Sequence, residues 1–117
     1  MSRLWYVPMA VHFWRFYFRY TNADPTAFSD SSRLNWESCS RAIKKFSQAQ
    51  VDLLREYYMT SWGNYEDLKV IKEFAEQRGI ETSVAWNTIK AANYEVIIER
   101  GLMERREVNT DEPGNNS

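Results

Sequence analysis

The chain has a single cysteine, Cys39, and a single histidine, His12, among 117 residues. One cysteine cannot form an intrachain disulfide, which fits a reducing compartment. A structural zinc site takes four nitrogen or sulfur ligands, which one Cys and one His do not supply. No metal and no cofactor are therefore expected. Long apolar runs are also missing. The longest uncharged stretch, residues 4–14, is 11 residues, about half of the roughly 20 that a bilayer requires. Tyr6 and His12 interrupt it and a basic aromatic segment follows, which argues against a secretory leader. The expectation is a cytoplasmic protein with no membrane partner. Glycine (4) and proline (3) are scarce, so collagen-like and low-complexity classes are excluded. No glycine loop suited to phosphate is present. His12 and Cys39 come with no orienting carboxylate or oxyanion motif, and the expectation is a non-enzyme.

What is present is a single small domain's worth of chain. Hydrophobic residues make up 44% and charged residues 26%, ordinary for a soluble domain. Area scaling for this mass buries about two-thirds of the chain's surface, enough for one cooperative core. Aromatics are abundant, with Trp 5, Tyr 7 and Phe 6. The net charge of −1 conceals a gradient: residues 1–46 carry seven basic and three acidic side chains, residues 47–117 eight basic and thirteen acidic. Such asymmetry suits a basic face turned toward an anionic partner.

Periodicity and caps predict an all-α fold of about five helices. Residues 1–20 hold eight aromatics, three Arg and no acid. After Pro8, a first-turn residue, Met9, Phe13, Phe16 and Tyr20 recur at helical spacing, flanked by Trp14 and Tyr17. Alternation across residues 13–20 also permits a strand, but nothing else in the chain pairs with one, so helix is preferred. This stripe is expected to be core, docked on the last two helices. Interleaved Arg and aromatics also suit single-strand binding. Residues 21–32 read as a loop around Asp24-Pro25, with a cap at 30–32 for a helix burying Trp36, Cys39, Ile43 and Phe46. Ser47 and Gln50 have capping-box spacing, opening a helix with Val51, Leu54 and Tyr58 inward, widened by Leu53 and Tyr57. Gly63 breaks it and Asn64 caps the next helix, whose buried side is Leu68, Ile71, Phe74 and Ala75. Gly79 ends that helix. Thr82 or Ser83 caps a last helix with Ala85, Ile89, Ala92, Val96 and Ile97 inward, ending near Gly101. Residues 1–108 form one domain and 109–117 a disordered tail.

Ala75, Gly79 and Ile80 have the grammar of a helix-turn-helix: a small residue for close approach, a glycine for the turn, and an apolar plug. With Leu53-Leu54-Arg55-Glu56-Tyr57-Tyr58 before them, residues 46–103 resemble the C-terminal helix-turn-helix domain of bacterial sigma factors and small sigma-like proteins of phages and mobile elements. The opening residues 11–20 resemble uncharacterised proteins from mobile elements of gut Firmicutes. The resemblance implies a transcription regulator binding double-stranded DNA, possible as a homodimer, with Ser83, Asn87, Lys90 and Asn93 toward the bases. Asn suits adenine. The segment between Gly79 and Arg100 departs from the family in being poor in cations, with Lys90 and Arg100 against Glu81, Glu95 and Glu99. Phosphate contacts then fall to Arg15, Arg19, Arg33, Arg41, Lys44 and Lys45. The alternative is an inhibitor that binds a host protein on the same scaffold, as phage anti-CRISPR proteins do. Trp62 and Trp86, with Trp5, are its candidate interface anchors.

Overall fold

The computed structural model describes residues 4–60 and 67–105. Among these, five α-helices follow one another: α1 (Val7–Arg19), α2 (Asp30–Ala42), α3 (Gln48–Met59), α4 (Leu68–Arg78) and α5 (Thr82–Glu99). Single 3-10 turns cover Pro25–Ala27 and Ile43–Lys45. The described residues include no strand, and the aromatic segment is helix over Val7–Arg19, as the lack of a pairing strand led one to expect. Trp62, Gly63, Asn64 and the tail from 109 lie outside the described residues.

The caps explain where the helices begin. Ser47 accepts from the Gln50 amide while the Gln50 side chain accepts from the Ser47 amide, completing the capping box at α3. Three other starts differ from expectation. Ser29, one residue before the predicted 30–32, caps α2. Asp67 caps α4 by accepting from the Lys69 and Val70 amides. Glu81 occupies the N-cap of α5 without a side-chain bond, so neither Thr82 nor Ser83 caps it. The cap at Asp67 makes Leu68 the first helical residue, turned outward and 55% exposed instead of buried.

Helix α5 is the centre of the bundle and packs against each of the other four helices. Ala85, Ile89, Ala92, Val96 and Ile97 are fully buried along it, as predicted, and Thr88 and Asn93 join them. Tyr57 and Tyr58 of α3 and Ile71, Phe74 and Ala75 of α4 complete the core around it. From α2, Cys39 and Ala42 are buried, while Trp36, Ile43 and Phe46 are half-buried against the same core.

Helix α1 presents a different face from the one expected. Val7, Ala10, Val11, Trp14, Tyr17 and Phe18 are buried, a line of steps of three and one on one helical face. Of the predicted stripe only Phe13 is buried; Met9 and Tyr20 are exposed and Phe16 is half-buried. Small residues at 7, 10 and 11 allow close approach, and close approach decides the face more than ring size does. The docking partners differ as well: α1 packs on α2, α3 and α5, not chiefly on the last two helices. Trp14 is its anchor. The indole donates from Nε1 to the Ala92 carbonyl at 2.9 Å and stacks on Phe18 and on Tyr58 of α3.

Candidate nucleic-acid interface

Helices α4 and α5 are joined by three residues, Gly79, Ile80 and Glu81. Gly79 takes φ +70°, the left-handed region where a side chain is strained. The Ile80 amide donates to the Ala75 carbonyl at 3.0 Å and the Gly79 amide to the Glu76 carbonyl at 3.2 Å. This pair of bonds is the Schellman motif, which satisfies the last carbonyls of α4 and turns the chain sharply. Ile80 packs half-buried against the core and Ala75 is fully buried, so plug and small residue occupy their expected places.

Because 85, 88, 89, 92 and 93 face inward, the first half of α5 exposes a complementary stripe. Ser83, Val84, Asn87, Lys90 and Ala91 are exposed along it. Three of the four predicted base-contacting residues, Ser83, Asn87 and Lys90, share this stripe at spacings of four and three. Asn93 does not. It is fully buried, and the Tyr58 hydroxyl donates to its Oδ1. This corrects its assignment as a base contact: an amide committed to the bundle's interior cannot reach a groove. The signal was available in sequence, because position 93 lies four residues from Ile89 and three from Val96, both core.

The carboxylates that weakened the DNA reading lie elsewhere on α5. From Thr82 to Tyr94 Lys90 is the sole charged residue. Glu95 and Glu99 sit toward the far end, with Glu99 about 24 Å along the axis from Ser83. Both are engaged. Arg41 meets Glu99 at 2.9 Å and also donates to its backbone carbonyl at 3.0 Å. Lys45 bridges Glu95 and Glu99 at 3.2 Å each. Arg105 grips Glu95 with two bonds at 2.9 and 2.6 Å and lies over the Tyr94 ring. Hydrogen bonding from Arg105 holds the Glu95 carboxyl below its usual range, and Arg41 does the same for Glu99. The Lys45 ammonium is pushed up by its bond to Glu95. Glu81, at the N-cap, is exposed and leaves one negative charge near the start of the stripe.

The same network corrects the phosphate clamp. Arg41 and Lys45 neutralise carboxylates within the chain, a helix length from Ser83, and are not poised for phosphate. Arg33 pairs with Asp30 at 3.1 Å. Lys44 and Arg19 are exposed and Arg15 is half-buried. Sequence reasoning missed Lys69 and Lys72, both exposed on α4. The first helix of a helix-turn-helix crosses the DNA backbone, so cations three apart near its start were a readable signal.

Of the predicted protein-interface anchors, Trp62 lies outside the described residues. Trp86 is half-buried, with the Lys90 ammonium 5.3 Å from its ring centre. Trp5 is 60% exposed. Cys39 is fully buried in α2 and desolvation raises its thiol pKa well above the ordinary value, whereas His12 is on the surface. Among the described residues no group of three or more His, Cys, Asp or Glu is arranged to hold a metal ion, and no helix is long and apolar enough to cross a membrane. Comparison with protein-family models, with curated proteins and with solved structures gave no match.

Proposed function

We propose that the chain is a small DNA-binding helix-turn-helix regulator, with α5 as the helix that enters the major groove. One observation carries this reading: the exposed stripe of α5 holds small and polar side chains and one cation, while both carboxylates of that helix are neutralised at its far end. Ser83 and Asn87 offer hydrogen bonds to base edges, the Val84 methyls suit a thymine methyl, and Lys90 reaches a guanine edge or a phosphate. Lys69 and Lys72 of α4 supply phosphate contacts on the flank. A weak electrostatic term follows from so few cations, so binding depends on base contacts and on salt only modestly. A sigma-like phage or mobile-element origin fits this reading and rests on the sequence resemblance of residues 46–103 and 11–20 alone.

The second reading, a protein-binding inhibitor on the same scaffold, is favoured by the apolar side chain of Val84, 50% exposed shortly after the turn. Selection from a random duplex pool at two salt concentrations separates them. An enriched motif whose binding Asn87→Ala weakens by about 1–3 kcal/mol, on that motif alone, supports the DNA reader. Lys69→Ala should weaken all duplexes alike and make the salt slope shallower by about one unit, the share of a single neutralised phosphate. A pool with no enrichment at either salt refutes the DNA reading and leaves the inhibitor.

A further inference from the structure

The aromatic residues that the core leaves outside form a surface of their own. On the outward side of α1, His12, Arg15 and Arg19 follow at steps of three and four, which places them on one line along the helix. Beside that line run Met9, Phe16 and Tyr20, a second ridge one residue further around the axis. Trp5, at the entrance to α1, extends the apolar ridge and is 60% exposed; Tyr20 is 41% exposed. The Tyr20 ring is held in place by Phe16 at 5.0 Å and Phe28 at 5.9 Å. Its carbonyl also accepts from the Trp36 indole at 3.0 Å. No carboxylate occurs before Asp24.

One cation of this surface differs from most arginines of the chain. Arg33, Arg41, Arg55, Arg78 and Arg105 each form an ion pair with an Asp or Glu. Arg19 is exposed and has no ion-pair partner among the described residues. From Trp5 to Tyr20 the apolar ridge extends about 22 Å, and the cationic line from His12 to Arg19 about 10 Å.

We propose that this face of α1 binds single-stranded nucleic acid, with phosphates along His12, Arg15 and Arg19 and unpaired bases stacked on Trp5 and Tyr20. Proteins that hold single strands combine a cationic track with aromatic platforms, which is the arrangement of the two ridges. A duplex keeps its bases stacked on one another and offers these rings no free face. The site shares no residue with the exposed stripe of α5.

Fluorescence anisotropy of a labelled oligothymidylate about a dozen nucleotides long, with the full chain, tests this at low and moderate salt. Each phosphate neutralised on a single strand contributes a salt slope of about −0.7, so Arg19→Ala should make the slope shallower by about 0.7. Trp5→Ala should weaken binding about tenfold and quenching of tryptophan fluorescence should diminish with it. Arg19→Lys should retain binding, and Asn87→Ala should leave it unchanged. Arg19 and Trp5 are exposed, so an unaltered thermal midpoint in each variant shows that the loss is one of binding. Absence of binding at low salt, equal affinity in both variants, or equal competition by duplex or by phosphatidylserine vesicles would overturn the proposal. Oligothymidylate binding without any enriched duplex supports this site while refuting the reading of α5.

Discussion

Replacing Trp14 with alanine tests the packing scheme most severely. The side chain is fully buried, donates to Ala92 of α5, stacks on Tyr58 of α3 and meets Tyr17 edge-on. It therefore joins three helices at one point. A buried aromatic removes about 150–250 Å² from water, and at about 25 cal/mol per Å² this bounds its transfer contribution near 4–6 kcal/mol. Truncation leaves the β-carbon in place and lets neighbours relax partly, so about 3–5 kcal/mol is expected. Domains of this size have roughly 5–15 kcal/mol in total, so Trp14→Ala removes a large fraction of the stability.

At about 4–8 °C per kcal/mol, a loss of 4 kcal/mol lowers the thermal midpoint by about 16–32 °C. Far-UV circular dichroism of wild type, Trp14→Ala and Trp14→Phe measures it. The phenylalanine variant keeps most of the volume and loses the bond to Ala92, for a cost of about 1–2 kcal/mol. Trp5→Ala is the control, exposed and expected to stay within about 0.5 kcal/mol of wild type. A Trp14→Ala midpoint within a few degrees of wild type would show that α1 does not dock through this ring, and the scheme would be wrong.

Two further outcomes follow from the polar groups. The depressed pKa values of Glu95 and Glu99 mean that their pairs stabilise the fold above the unfolded carboxyl range and lose that contribution as pH falls through the folded values. Thermal midpoints should therefore drop below about pH 4.5, by up to about 1 kcal/mol per pair, and less steeply in a Glu95→Gln, Glu99→Gln double variant. A drop of equal steepness in that variant excludes the network as the cause. Asn93→Ala removes an acceptor used by the buried Tyr58 hydroxyl and should cost about 1–3 kcal/mol in denaturant unfolding. It should leave duplex sequence preference unchanged, the reverse of Asn87→Ala; a changed preference contradicts the buried placement.

The parts of the fold legible in the sequence were those set by short-range rules. The capping box at Ser47, the left-handed Gly79 and the five inward residues of α5 follow from backbone stereochemistry and a 3.6-residue period. Gly101, at φ +81°, turns the chain just past the end of α5 in the same way. Legibility failed where two faces of a helix were both apolar. Residues 5–20 offer hydrophobic side chains around the whole circumference of α1, so periodicity could not choose between Met9–Phe16–Tyr20 and Val7–Ala10–Val11. Tertiary close approach made that choice. The candidate site was half legible for a related reason. Ser83, Asn87 and Lys90 lie opposite the aliphatic residues of α5, and the same period places Asn93 among those residues, but its partner, a tyrosine from another helix, is a pairing that no single-segment pattern encodes. Arg41 and Lys45 likewise meet carboxylates 50 or more positions away in sequence.

The core and the exposed stripe of α5 are two sides of one constraint. Each residue along a helix turns the side chain by about 100°, so a one-residue change in the register of α5 would carry Asn87 toward the core and Thr88 outward. Contacts with all four other helices oppose that rotation. Arg41 fixes the far end by holding both the Glu99 carboxylate and its carbonyl, and Arg100 adds a 2.7 Å bond to Asn35 of α2. Arg41, which sequence reasoning assigned to phosphate, thus holds the orientation of the helix that presents Ser83, Asn87 and Lys90. Rigid elements position recognition residues more accurately than loops do. Arg41→Ala should therefore weaken sequence-specific duplex binding through the orientation of α5, with the salt slope unchanged. A slope reduced by about one unit in that variant would instead make Arg41 a phosphate contact, and the network would be no more than a resting state of the unbound protein.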